Sequence, residues 1–197
     1  MLSAPAGASA QSGSPAEIAA RVENASQAPF RYRVAIAGLL QLKPGMTAAE
    51  VGTVSGFVAR AMAPQVGPTG RVIATTLNPG MVAYMTDRAR SEGLSTFTAV
   101  AAKPGATGLE PASADAIALV GVFGGVEQRK EMLQALGGAL KPGGALLIVD
   151  LPAENDGKKV IGIEAEDVVK LAVEAGFRRE AESGIVPGHY AIRFRKP

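Results

Sequence analysis

The sequence contains no cysteine and a single histidine, His189. Without cysteine the chain has no disulfide, no thiolate nucleophile and no cysteine-ligated zinc or iron–sulfur site. One histidine also excludes a histidine-rich metal site, so we expect no metal cofactor. Tryptophan is absent, aromatic residues make up 5% of the chain, and the formal net charge is only +2. Since no lysine and arginine cluster is interleaved with aromatics, we expect no nucleic-acid partner.

The sequence also lacks a run of about 18 apolar residues, the length that a membrane-spanning helix needs. Residues 1–15 are rich in alanine, serine, glycine and proline, and such a segment cannot bury an apolar face. We interpret it as a disordered tail or as the remnant of a signal peptide, because Ala8-Ser9-Ala10 resembles a cleavage site but no basic region or apolar core precedes it. Periplasmic and cytoplasmic locations both stay open, as does the oligomeric state.

The segment from Leu42 to Phe57 combines a turn, a strand, a loop and the start of a helix. Residues 48–51 fit a short buried strand, and a glycine-punctuated loop from Gly52 to Gly56 leads into an apolar-periodic helix. At the end of such a strand, the free N–H groups of the following helix suit polar or anionic ligand atoms. The sequence therefore predicts a ligand site at this loop.

The rest of the chain alternates between predicted helices and strands. Its 197 residues, 47% of them hydrophobic, suit one α/β domain over residues 16–197. A solvated, mobile loop is expected at 151–159. We predict further helices at 15–24, 79–92, 128–140 and 164–175, and further strands at 71–75, 95–100, 116–122, 145–149, 178–185 and 189–195.

Four motifs fall in an order that resembles a known family. They are Glu50-x-Gly-x-x-x-Gly56, the segment Gly70 to Met81, Ser113-Ala-Asp115 and Leu140-Lys-Pro-Gly-Gly144. In this order and spacing the chain resembles the class I S-adenosylmethionine (SAM)-dependent methyltransferases from about residue 35 onward. The resemblance implies SAM as cofactor and a small molecule as substrate.

The resemblance also implies a fold, which agrees with the alternating elements. We expect an α/β, Rossmann-like architecture with a seven-stranded, mostly parallel sheet and helices on both faces. The C-terminal strands should be antiparallel, as in the family, and the strand order should reverse between the first and fourth strands.

The family pattern assigns the cofactor to the first loop and to the end of the second strand, but this chain departs from it in three places. Val54 replaces the middle glycine of the loop, Thr76 stands where an acidic residue holds the ribose, and Lys103 follows the third strand where an acceptor meets adenine. Losing such contacts would cost about 1–2 kcal/mol each, or roughly a hundred- to ten-thousandfold in affinity together. The cofactor-binding candidates are Glu50, Gly52, Thr53, Val54, Gly56, Thr76 and Leu77.

Substrate-cleft candidates come from two segments. In the family an N-terminal segment packs over the cleft, so Phe30 and Tyr32 are candidates for a lid; alternatively they anchor the N-terminal helix to the sheet. The segment after the fourth strand keeps Phe123 but has Gly124 and Gly125 where similar sequences carry two histidines. These glycines leave the backbone open to a ligand or reflect a lost site.

Two residues are candidates for proton transfer. Asp150 ends the fifth strand beside the expected cleft, where a carboxylate would serve as a general base or simply cap a turn. His189 begins the last strand and is either a general base or a structural histidine.

The departures favour a methyltransferase-like protein in which SAM binding is weakened or lost and in which the cleft takes another small molecule. The alternative is an active SAM-dependent methyltransferase that acts on a small molecule. A nicotinamide-dependent dehydrogenase fits less well, because Thr76 also stands where that class needs an acidic residue.

Overall fold

The computed structural model describes residues 13–155 and 160–197. A seven-stranded sheet forms its centre, in the order β3-β2-β1-β4-β5-β9-β8, and a short hairpin of β6 and β7 stands apart from it. The strands are β1 (Thr47–Val51), β2 (Arg71–Thr76), β3 (Phe97–Ala101), β4 (Ala114–Val120), β5 (Leu140–Asp150), β6 (Glu154–Asn155), β7 (Val160–Ile161), β8 (Arg178–Ser183) and β9 (Tyr190–Arg195).

Helices cover both faces of the sheet, because successive strand side chains point to opposite sides. Ala48 of β1 packs in one core with Val58, whereas Ala49 lies in a second core with Leu133. Val58 belongs to α4 and Leu133 to α6. The helices are α1 (Pro15–Val22), α2 (Ala28–Arg31), α3 (Arg33–Leu39), α4 (Phe57–Val66), α5 (Gly80–Ser91), α6 (Arg129–Ala139) and α7 (Ala165–Glu174).

The strand directions create a crevice above β1 and β4. β1 lies between β2 and β4 and pairs in parallel with both. The following strands are therefore added first on one side of β1 and then on the other. β9 pairs antiparallel with β5 and with β8, which closes the sheet at its C-terminal end. The predicted architecture, including the reversal between the first and fourth strands, is confirmed. Ligands of open α/β sheets bind at such a reversal, outside the carboxyl ends of the strands.

Several strand boundaries differ from the predicted ones, among them the beginning of β5 and the end of β4. β5 begins at Leu140 instead of 145, because the glycine turn bonds to the end of the chain. The N–H of Gly143 donates to the carbonyl of Lys196 (3.1 Å), and the N–H of Lys196 donates to Gly144 (2.9 Å). β4 ends at Val120, two residues before its predicted end. Main-chain pairing over long sequence separations decides both limits.

Other differences concern caps and loops. The N-cap of α5 is Pro79, and Asn78 Oδ1 accepts the N–H of Gly80 (3.0 Å). Ser14 caps α1 in a reciprocal capping box with Glu17. The loop predicted at 151–159 contains strand β6, and its residues 156–159 lie outside the described part of the chain. Residues 1–12 of the predicted tail lie outside it as well.

Candidate functional site at the carboxyl edge of the sheet

The loop after β1 keeps the two glycines that its shape requires. Gly52 and Gly56 have φ values of 76° and 72°, a left-handed conformation that disfavours side chains. A Cβ on Gly56 would also lie 3.0 Å from the sulfur of Met85. The only non-glycine residues with positive φ in the described chain are Gln41 and Ala112, so Val54 does not strain the loop.

Main-chain groups of this loop are occupied by the protein itself. The N–H of Thr53 donates to the carbonyl of Thr75 (2.9 Å), and the N–H of Gly52 lies 3.4 Å from the Thr75 hydroxyl. The Thr53 hydroxyl in turn accepts the N–H of Gly56 (2.9 Å). These bonds hold the loop against β2, and the same N–H groups are therefore not free for a ligand.

Glu50 points inward and closes the N-terminus of α4. Its side chain is 2% exposed, and Oε2 accepts the N–H of Ala59 at 2.7 Å. Burial raises the pKa of Glu50 to about 7, although the bonds from Ala59 and Thr53 and the charge of Arg60 act in the opposite direction. An anion site at a helix N-terminus is thus filled by the chain's own carboxyl group.

The end of β2 offers an exposed apolar side chain and a buried hydroxyl. Thr76 is 2% exposed, and its hydroxyl accepts the N–H of Asn78 at 3.2 Å. Leu77, the next residue, is 50% exposed and faces solvent at the same edge. The apolar surface expected beside a ligand ring is present, whereas the polar anchor is buried and engaged.

The loop after β3 folds back on the strand ends. Lys103 is exposed, and Gly108 (φ 73°) lies so close to the sheet that an added Cβ would be 3.2 Å from Ala102 Cβ and 3.4 Å from Thr75 Cβ. Protein backbone therefore fills part of the edge between β2 and β3. A lysine at this place cannot accept a hydrogen bond from an amino group.

A buried ion cluster around Arg60 ties the first loop to the N-terminal helices. Arg60 is 7% exposed and contacts Glu23 and Glu92, each at 3.0 Å. Its third bond, at 2.8 Å, goes to the carbonyl of Ser55 in the loop. The sequence analysis missed this cluster, because its carboxylates lie more than thirty residues away and no local pattern joins them.

The N-terminal aromatic residues pack beside the start of α4. The rings of Phe30 and Phe57 meet edge to face at 5.8 Å, and the Arg33 guanidinium lies 4.4 Å from the Phe30 ring centre. Tyr32 is half-buried, with the Arg31 guanidinium 5.8 Å from its ring. Phe30 is therefore brought to the first loop, a position compatible with both an anchor and a lid.

The segment after β4 is packed instead of open. Phe123 is fully buried in the second core, so its ring presents no surface to a ligand. Gly124 lies against Gly162, where an added Cβ would come within 2.8 Å of the Gly162 Cα. Gly125 is exposed and has open space around it. Of the expected cleft residues in this segment, Phe123 is buried, Gly124 is half-buried and Gly125 is exposed.

Asp150 joins two backbone segments. It is 4% exposed, and its two oxygens accept the N–H groups of Gly124 and Leu151, each at 2.9 Å. This is the geometry of the turn-capping alternative and leaves no oxygen exposed for proton transfer. His189 lies at the same sheet edge in the turn before β9, half-buried, on the wall of a cavity of about 350 Å³.

The residues present do not fit SAM in the way that the family pattern implies. The glycine cradle is there, but the ribose and adenine anchors are missing. Ser55 Oγ is buried without a hydrogen-bond partner in the described chain, yet Ser55 is 0% exposed and therefore faces protein. Across residues 13–155 and 160–197, no group of three acidic or histidine side chains could hold a metal, and no helix is long and apolar enough to cross a membrane.

Comparison with known proteins gives one family. A protein-family model with the description "Methyltransferase domain" matches residues 49–148 of this chain. A SAM-dependent methyltransferase from Aquifex aeolicus has a similar structure, with a TM-score of 0.79 and 21% identity over 94% of this chain and 100% of that chain. A search of curated protein sequences finds no match.

Two further structures share the fold. The [4+2]-cyclase SpnF has a TM-score of 0.72 and 18% identity over 85% of this chain and 80% of its own. The YcgJ protein of Bacillus subtilis has a TM-score of 0.69 and 12% identity over 84% of this chain and 98% of its own. At these identities the similarity establishes the architecture and not the chemistry.

Proposed function

Because the chain belongs to the class I SAM-dependent methyltransferase family, we propose that it is a divergent member with weakened or lost SAM binding. In this proposal the crevice at the carboxyl ends of the strands takes a different small molecule. The protein then keeps the architecture and the loop of its family, and its ligand chemistry has changed.

The main observation behind the proposal is the burial and hydrogen bonding of the Thr76 side chain. Its hydroxyl is buried and already accepts the N–H of Asn78. A hydrogen bond to a charged group contributes about 1.5–3 kcal/mol, and a neutral, engaged hydroxyl does not replace it. The Thr76 hydroxyl is therefore not available as an acceptor for a pair of ribose hydroxyls.

Two other observations support the same conclusion. The first-loop N–H groups of Gly52 and Thr53 are directed to Thr75, and the carboxyl of Glu50 is directed into α4. SpnF, which is named for a cyclase reaction, has a comparable fold. This architecture is thus compatible with activities other than methyl transfer.

An active SAM-dependent methyltransferase is the second candidate. It is favoured by the left-handed Gly52 and Gly56, which preserve the cradle, and by the exposed Leu77 at the end of β2. An apolar side chain at this place suits the face of a ring. Leu77 contributes surface but not the polar anchor, so we rank this candidate second.

Calorimetric titration with SAM and with S-adenosylhomocysteine separates the two candidates. We expect no binding, or a Kd well above about 100 μM, since the missing contacts correspond to a loss of at least a hundredfold from a micromolar cofactor. The Aquifex aeolicus methyltransferase serves as the positive control. A Kd in the low micromolar range for this chain would overturn the proposal in favour of the active enzyme.

Restoring the acid at the end of β2 should restore affinity. We expect Thr76→Asp to bind SAM at least about tenfold more tightly than the wild type, because one carboxylate oxygen can keep the bond from Asn78 while the other is offered to the ribose. Adding Val54→Gly should contribute little, since Val54 is not left-handed.

The matched control is Thr76→Asn, which has the same shape without the charge. Equal SAM affinity of Thr76→Asp and Thr76→Asn would contradict the assignment of position 76 as the lost anchor. Circular dichroism establishes that both variants are folded before titration.

A further inference from the structure

A cavity of about 350 Å³ lies between the N-terminus of α7 and the turn that joins β8 to β9. Tyr190 pairs with Asp150, so this turn stands at the carboxyl edge of the parallel strands, beyond β5. Pro152 and Ala165 are the apolar residues on its wall that are not buried in the core. This volume lies at the lower end of the range found for small-molecule pockets.

His189 lies on the wall of this cavity and can supply a hydrogen-bond acceptor. Its Nδ1 lies 2.9 Å from the carbonyl oxygen of Pro187. A carbonyl only accepts, so Nδ1 carries the proton, and in the neutral ring Nε2 keeps its lone pair. No residue in the described ranges bonds to Nε2, which is therefore available to a ligand N–H or O–H.

The charged groups on the wall are carboxylates. Glu164 is exposed and makes no ion pair with any residue that the structure describes, whereas Glu182 is paired with Arg179. Both carboxylates also line a neighbouring groove. The first turn of α7 carries Glu166 and Asp167, which offset the positive end of the helix dipole. The potential at the cavity thus favours a cation over an anion.

The Tyr190 hydroxyl is not available to a ligand. It donates to the carbonyl of Ile163 at 3.0 Å, and burial, followed by the nearby charge of Asp150, raises the pKa of Tyr190 above its ordinary value. The hydroxyl therefore stays protonated and committed to the turn before α7. Specificity in the cavity depends on His189 and Glu164.

We propose that this cavity binds a small organic amine, with its N–H groups donating to Nε2 of His189 and to the unpaired carboxylate of Glu164, and with its apolar part against Pro152 and Ala165. The inference goes beyond the proposed function, because it concerns a separate site at the same edge of the sheet. Nothing in it depends on whether SAM binds at the first loop, which lies on the other side of β4 and β5 from this cavity.

The single histidine provides a direct test by proton NMR on untagged protein. Titration with phenethylamine should shift the imidazole signal of His189 in a saturable way. The neutral 2-phenylethanol and the anionic phenylacetate, which have the same ring, should bind at least fivefold more weakly. Equal binding of the three probes, preferred binding of phenylacetate, or no shift with phenethylamine would each overturn the proposal.

Single substitutions test whether the amine binds at Glu164 and His189. Glu164→Gln should weaken phenethylamine binding at least fivefold, and His189→Ala should do so when binding is followed by calorimetry. Glu166→Gln is the matched control, because it removes the same charge on the same helix but lies outside the 350 Å³ cavity; it should change the Kd less than twofold. Equal effects of Glu164→Gln and Glu166→Gln would reduce the interaction to general electrostatics and contradict the site.

The amine experiment and the SAM titration fail independently. If SAM binds tightly and phenethylamine binds at His189, the proposed loss of SAM binding is overturned and the proposed amine site stands. If neither SAM nor phenethylamine binds, the proposed amine site is overturned and the proposed loss of SAM binding stands.

Discussion

Replacing Arg60 by methionine should destabilise the protein by about 3–5 kcal/mol in urea unfolding, the range for removing one partner of a buried ion pair. Methionine keeps most of the side-chain length but leaves the Glu23 carboxylate, whose side chain is 8% exposed, without its cation. The Ser55 carbonyl loses its partner as well. We therefore expect the first loop and α1 to loosen together.

Two comparisons make this prediction specific. Arg90→Met removes an exposed pair with Asp87, in which the side chains are 75% and 70% exposed, and should change the stability by less than about 0.5 kcal/mol. Adding Glu23→Gln to Arg60→Met should recover part of the loss, because the buried charge is then gone. A loss below about 1 kcal/mol for Arg60→Met would show that Glu23 finds water or another partner.

The stability of the protein should fall as the pH rises from about 4.5 to 7 through the titration of Glu50. Burial raises the pKa of Glu50 in the folded state to about 7, from a usual value near 4.5, so the folded state holds this proton more tightly than the unfolded chain. The resulting penalty is absent below about pH 4.5 and complete above about pH 7. It amounts to about 3 kcal/mol for a shift of this size.

The variant Glu50→Gln isolates this effect from the other titrating groups. Its amide oxygen can still accept the N–H of Ala59, and it carries no charge to bury. In urea unfolding between pH 5 and 8, the free energy of unfolding of the variant should increase relative to that of the wild type as the pH rises. The control, Glu110→Gln at an exposed position, should run parallel to the wild type. Parallel curves for Glu50→Gln would mean that Glu50 is ionised throughout.

Glu180 contributes in the opposite direction. Its hydrogen bonds with Arg195, followed by the charges of the neighbouring arginines, lower the pKa of this carboxyl. Stability from such a group is lost as the pH falls through the lowered pKa. The pH dependence of wild-type stability therefore combines the opposite effects of Glu50 and Glu180. Only the difference in stability between Glu50→Gln and the wild type isolates the effect of Glu50.

The alternation of elements could be predicted from local pattern. The strand at 48–51 and the helix after Gly56 follow from apolar periodicity and from glycine, and both lie where they were expected. The beginning of β5 could not be predicted, since the bonds between the glycine turn and Lys196 join residues more than fifty positions apart. Sequence windows contain no information on such pairing.

The candidate site was less predictable than the fold. Val54 could be identified as a departure, but whether it strains the loop depends on its φ, which the backbone around it sets. The sequence left Asp150 open as a base or a cap, and the bond from the N–H of Gly124 identifies the cap. Glu164 and Glu182 were not singled out at all, because the cavity that they share is formed by elements distant in the chain.

The sequence by itself determined the family, the order of the elements and the positions at which the cofactor pattern is broken, because these depend on residue type and spacing along the chain. Only the tertiary structure decided which polar groups are already engaged. Thr76 and Glu50 have their hydrogen bonds inside the protein, whereas His189 lies on a cavity wall and its Nε2 has no partner in the described ranges. Burial and bonding arise from contacts between distant segments, and these contacts decide whether a polar side chain is free to meet a ligand.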